Sequence, residues 1–264
     1  MLSNLKKEDF EVLRGPLESG RQSPASLSPM LLLSVFLQPL MLMLTYVVAA
    51  DASIFPYKEI MFVIHLIITG LIIILSIFFA IPSVYKKHQI TQYLVTILMS
   101  QNLLGVFVYL MALFFIGKER NISEESLLTF TFISLFVGLL IFVTTCIRFY
   151  ILLKRGQYRK GTKRDVMRSE TEFKVKSHLP MIMIASIGLV FFIRYLVNII
   201  GWNDIETIML ILLGISIYFV MLFVLPEQLV ILYCKYRFES FNFNKNGELK
   251  PMGRKSCILQ NENT

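Results

Sequence analysis

This chain is poor in the residue patterns that carry recognisable chemistry. No GxxxxGK[ST] stretch is present for cradling nucleotide phosphates and no HExxH for zinc, which excludes a P-loop ATPase or a zincin within the chain. A GxSxG nucleophile elbow is also missing. Only 3 histidines and 3 cysteines occur in 264 residues. Three histidines are too few for a di-iron cluster, and Cys146, Cys234 and Cys257 stand too far apart for a disulfide framework or a metal knuckle. No metal or other cofactor is expected. Charge is scarce too, at 17% of residues against about 25% in soluble domains.

What the chain has instead is apolar length. Hydrophobic residues make up 55% of it, and six runs are each long enough to cross a hydrocarbon core about 30 Å thick. They are residues 30–50, 60–81, 91–116, 127–153, 179–200 and 205–233. Backbone groups in lipid must find partners within their own segment, so the runs are helices. The expected fold class is an all-α polytopic membrane protein with six transmembrane helices. Residues 1–29 read as a polar, loosely ordered tail with no signal peptide, 30–233 as the transmembrane domain, and 234–264 as a basic tail. Glu8–Arg14 could form a short helix on the membrane surface.

Orientation follows from counting bases. With the N-terminus on one side, that side receives four Lys or Arg before residue 30, two in 82–89, nine in 154–178 and six after residue 233. The opposite side receives Lys58, Lys118 and Arg120. The positive-inside rule then places both termini in the cytoplasm. Tyr57, Tyr85, Tyr150, Trp202 and Tyr233 fall at run ends, where amphipathic rings prefer to sit. The expected location is the cell membrane of a bacterium.

Polar side chains inside the runs are the candidate sites, because each costs free energy on a lipid-facing surface. Arg194, with Asn198 one turn on, reads as an anion or substrate contact or as an arginine snorkelling to the headgroups. Glu227 follows Pro226, whose missing donor frees a carbonyl nearby. It reads as a cation or proton site, or as a structural partner for Arg148 at similar depth. His65, in the outer part of the second run, is a hydrogen-bonded core residue or a proton relay. Gln38 and the pair Gln101 and Asn102, placed in the inner half, are packing contacts between helices or a polar path. Gly70, Gly105, Gly138, Gly188 and Gly214 offer points of close helix approach.

Loop 154–178 concentrates the positive charge. Arg159, Lys160, Lys163, Arg164 and Arg168 are expected to meet anionic headgroups, at about 1 kcal/mol per base near the surface. The loop is also a candidate docking site for a cytoplasmic ATPase or regulatory protein through Val166–Phe173. With Tyr158 as its single aromatic, it offers no stacking platform, and nucleic acid is not expected as a partner.

Across residues 30–233 the span count and size resemble the permease subunits of small bacterial ABC exporters, including those that expel bacteriocins. The resemblance implies a transport component served by a separate ATPase. It rests on no residue motif, and the 82–89 connection is shorter than the coupling segment such permeases commonly carry. A non-catalytic regulator, scaffold or immunity-type protein is the alternative. An intramembrane enzyme lacks the nucleophile and metal sets it would need, so no enzymatic activity is expected.

Overall fold

In the computed structural model, residues 4–119, 122–167 and 203–252 are described. Five long apolar helices make up the body: α1 (Pro24–Ala49), α2 (Lys58–Ala80), α3 (Gln89–Ile116), α4 (Glu124–Lys154) and α5 (Asn203–Arg237). All five are long and apolar enough to cross a membrane. They correspond to five of the six runs. The sixth, residues 179–200, lies outside the described residues, as do Arg194, Asn198, Gly188 and Arg168.

Helix boundaries follow local chemistry. Ser23 caps α1 by accepting from Ser26 N at 3.2 Å, with Pro24 in the first turn where its missing N–H costs nothing. The helix therefore begins six residues before the expected run. Ser123 caps α4 in the same way through Ser126 N. At the end of α1, Lys58 Nζ donates to the carbonyls of Ala50 at 2.9 Å and Ser53 at 3.0 Å. Lys118 Nζ donates to Val48 O at 2.9 Å. Two of the three bases assigned to that side thus sit on the negative end of a helix dipole.

α3 is the centre of the bundle. In its most apolar stretch 56% of residues are buried, against 11–22% in the other four helices. α2 shows why the others bury so little. His65, Thr69, Ile72, Ser76 and Phe79 face inward at spacings of three and four, while Ile64, Ile67, Leu71 and Ile74 are exposed. α5 crosses α3 antiparallel and closely: a Cβ at Gly214 would stand 2.9 Å from Ala112 Cβ and 3.0 Å from Val108 O. Gly138 of α4 likewise admits Leu222 and Tyr218 of α5, whereas nothing approaches Gly70. Gly138 meets Leu222, and further along both helices Cys146 and Leu153 line one cavity with Pro226 and Val230, so α4 and α5 run parallel.

The ends of the bundle differ. Residues 4–22, 82–89, 155–167 and 238–252 gather at one, called the basic end below, and their packing overturns the picture of a loose N-terminal tail. A 3-10 helix over Lys7–Arg14 and a turn over Gly15–Glu18 bury Phe10, Leu13 and Leu17. They pack with Tyr93, Ile97, Phe149, Leu153, Ile231 and Phe241. Each buried side chain of that size contributes about 1.5–3 kcal/mol. The apolar side expected to meet lipid meets protein instead, because three separate helix ends supply the core that the tail cannot build alone.

Polar clamps fix the cap. Asp9 accepts from Lys6 N at 2.9 Å and pairs with Arg159 at 2.7 Å. Val12 N donates to Tyr158 O at 2.9 Å and Arg14 Nη2 to Lys250 O at 3.1 Å. Burial pulls Arg14 below its ordinary value, while the charges of Glu18 and Glu11 oppose the shift. The basic tail turns back at Asn244–Gly247, where Gly247 takes φ +84°, and Phe243 bridges Leu249. Gln89 holds this turn as a neighbouring strand would. Its Nε2 donates to Phe243 O and its Oε1 accepts from Phe243 N, both at 2.9 Å. Lys235, one of the six bases counted after residue 233, is buried; it donates to Phe241 O at 3.1 Å between the rings of Tyr93 and Phe243.

Candidate functional site

Three helices contribute to one buried polar cluster. α1 supplies Gln38 and Tyr46, α2 supplies His65 and Thr69, and α3 supplies Asn102. Gln38 has no exposed surface, Asn102 has 4% and His65 has 5%. Asn102 is the hub. Its Oδ1 lies 2.9 Å from His65 Nε2, and its Nδ2 donates to Gln38 Oε1 at 3.1 Å and to Thr69 Oγ1 at 3.2 Å. On the other side of the imidazole, Tyr46 Oη lies 3.1 Å from Nδ1 and 3.3 Å from Met61 O. The ring of Phe107 covers the imidazole at 4.2 Å between centroids.

Two π-helical turns stand at this level, Leu44–Ala49 in α1 and Gln101–Val106 in α3. A π turn widens the helix by one residue and is frequent at functional sites. Here Tyr46 belongs to one turn, and Gln101 and Asn102 open the other. α3 consequently offers consecutive side chains to different neighbours. Asn102 faces α1 and α2, while Gln101 Nε2 reaches Met221 O at 3.3 Å and Gln228 Oε1 at 3.4 Å on α5. Gln38 Nε2 and Thr45 Oγ1 are buried with unspent hydrogen-bonding capacity.

Toward the basic end the cluster meets an apolar layer of Leu31, Ile72, Val95 and Met99. Beyond it, Gln92 Nε2 donates to Pro24 O at 2.9 Å and Phe79 O at 3.2 Å. Toward the far end, Tyr46 forms part of the wall of a cleft of about 440 Å³ that Asp51, Lys58 and Glu59 also line. Among the described residues no three of His, Cys, Asp and Glu converge as a metal site would require.

The candidates singled out by sequence divide accordingly. Gln38, His65 and Asn102 come together, although depth counting had put His65 in the outer part of its helix and the other two in the inner half. Gln101 sits beside them and faces the opposite way. Tyr46 and Thr69 were missed. Thr69 follows His65 by four residues on the same face, a spacing that marks it as a neighbour. Arg148 and Glu227 share the wall of a separate cleft of about 190 Å³ with Arg164 and Tyr158. In the basic loop, Arg159 is engaged by Asp9, Arg164 lies over the Tyr158 ring at 5.0 Å, and Lys160 borders a groove with Glu11, Glu18 and Asp165. Lys163 is exposed.

Set against known proteins, the chain matches no family, no curated sequence and no solved structure.

Proposed function

We propose that this multi-pass membrane protein is the membrane-embedded component of a transport or export system, without a nucleotide site or enzymatic activity of its own, and that the Asn102 cluster is its internal polar element. One observation carries this: a titratable side chain is buried within a three-helix hydrogen-bond cluster, beside two π-helical turns and a cleft. Ionisable residues inside spans are rare and mark solute or proton paths. The parallel course of α4 and α5 supports the reading of six spans, since α4 ends and α5 begins at opposite ends of the bundle. The base count supports a cytoplasmic basic end in a bacterial cell membrane, with Lys163 and its neighbours facing anionic headgroups.

A second reading is favoured by the basic end itself. Its N-terminal segment, loop and C-terminal turn form a folded surface that suits a regulator or scaffold acting through a cytoplasmic partner. Gentle extraction at native abundance separates the two. Recovery with an ATPase in fixed ratio, together with solute transport that Asn102→Leu abolishes while the complex persists, supports the transport role. Recovery in fixed ratio with a kinase or another regulatory protein, without transport, would refute it.

A further inference from the structure

The hydrogen-bond directions around His65 are set by its neighbours. Asn102 commits both protons of its amide nitrogen to Gln38 and Thr69, so its oxygen faces the imidazole. Nε2 therefore carries a proton and donates to Asn102 Oδ1. In the neutral ring Nδ1 is then an acceptor, and the proton it accepts is that of Tyr46 Oη at 3.1 Å. Tyr46 has a second acceptor within reach, the carbonyl of Met61 at 3.3 Å. If Nδ1 gains a proton it donates to Tyr46 Oη, whose own hydrogen turns to Met61. Both protonation states are thus fully bonded. A histidine needed only for packing requires one.

A cleft reaches the cluster from one side. Tyr46 borders it at the far end, while toward the basic end the packed side chains of Leu31, Ile72, Val95 and Met99 lie between the cluster and Gln92, with the buried hydroxyls of Ser34 and Ser76 at the same level. From α1 Tyr46 faces the imidazole, from α3 Asn102 and the Phe107 ring do so, and from α2 itself Thr69 belongs to the same cluster. No carboxylate or cation among the described residues is bonded to the ring; Asp51, Lys58 and Glu59 line the cleft beyond Tyr46.

We infer that His65 is a proton-binding site loaded from the far-end cleft through Tyr46. A proton from cleft water bonds to Tyr46 Oη as the original hydroxyl hydrogen passes to Nδ1. The tyrosine ends neutral, the imidazole ends with a charge of +1, and release reverses the same two bonds. This deepens the transport reading by naming the proton as the ion its cluster binds, and it rests on that reading for the purpose of the proton, not for its binding.

The test uses the full chain in liposomes with isotope-labelled histidine, read by solid-state nitrogen NMR. The His65 signal is identified by its loss in His65→Gln. Acidifying the far-end bath in steps, down to the lowest pH at which the chain stays folded, is expected to convert the ring from singly to doubly protonated. Acidifying the other bath is expected to leave it unchanged over the same interval. In Tyr46→Phe both ring states lose their partner at Nδ1, the charged ring losing the stronger bond, and the midpoint falls. A ring that stays neutral throughout, or that responds equally from both sides, overturns the proposal, and the two-sided comparison needs no variant that has to fold. Titration from the far end without any transported solute supports the proton site while removing the transport reading.

Discussion

Asn102→Leu measures how much the buried cluster contributes to holding the helices together. The side chain makes three interhelical hydrogen bonds, at 2.9, 3.1 and 3.2 Å. Within a membrane such bonds average about 0.6 kcal/mol and reach about 1.7, so three are worth about 2–5 kcal/mol. Leucine removes all three and leaves His65 Nε2–H and Gln38 Oε1 buried without the hub, which moves the expectation to the upper part of that range. For a protein of this size 1 kcal/mol shifts the melting temperature by about 2–4 °C, so a loss of roughly 8–20 °C is expected. The assay is thermal unfolding of the purified chain in a mild detergent, with Gln38→Leu and the double variant completing a cycle. Because the Asn102–Gln38 bond is lost in either single variant, the double variant is expected to be less destabilised than the sum of the two. Unchanged or raised stability in Asn102→Leu would refute the view that the cluster joins the helices.

Gly214→Leu should separate α3 from α5, since a Cβ already meets Ala112 and Val108 at 3.0 Å or less. Overpacking of this kind costs about 1–3 kcal/mol, whereas Gly70→Leu, with nothing within 4 Å, should be close to neutral; thermal unfolding of both checks the contrast. Gln89→Ala removes both clamps on Phe243 and should lower protection of the 238–252 backbone against hydrogen exchange by roughly 5- to 30-fold, from two bonds of about 0.5–1 kcal/mol each. Exchange in the middle of α3 should not change.

Which features could be read from the sequence depended on whether the signal was local. Residues 60–81 and 127–153 match α2 and α4 closely because continuous apolar length is itself the signal. The start of α1 was hidden by Pro24 and Pro29, which suggest a tail when counted as composition and a helix start when Ser23 is seen as the cap. The N-terminal segment was hidden for a related reason. Phe10, Leu13 and Leu17 are few among polar neighbours, and what buries them comes from residues 93, 149, 153 and 231. At the site, the residue types Gln38, His65 and Asn102 were recognisable by their cost in lipid. Their meeting was not, because depth counted from run ends ignores tilt, side-chain reach and the two π turns. Arg159 was grouped with lipid-facing bases because bases outnumber acids around it in sequence; its partner, Asp9, lies 150 residues away.

The clamps at the basic end also impose an order in time. Arg14 bonds Lys250 and Lys7 bonds Met252, across separations of 236 and 245 residues. During synthesis the N-terminal segment emerges first, its partners from Tyr93 to Arg159 follow, and Ile231, Phe241 and the C-terminal turn that complete its cover come last. Contacts this distant in sequence form late, and surface left uncovered meanwhile invites misassembly or proteolysis. The cap is therefore a seal whose last two clamps close only after Lys250 and Met252 have left the ribosome, so its completion marks a chain made through to that point.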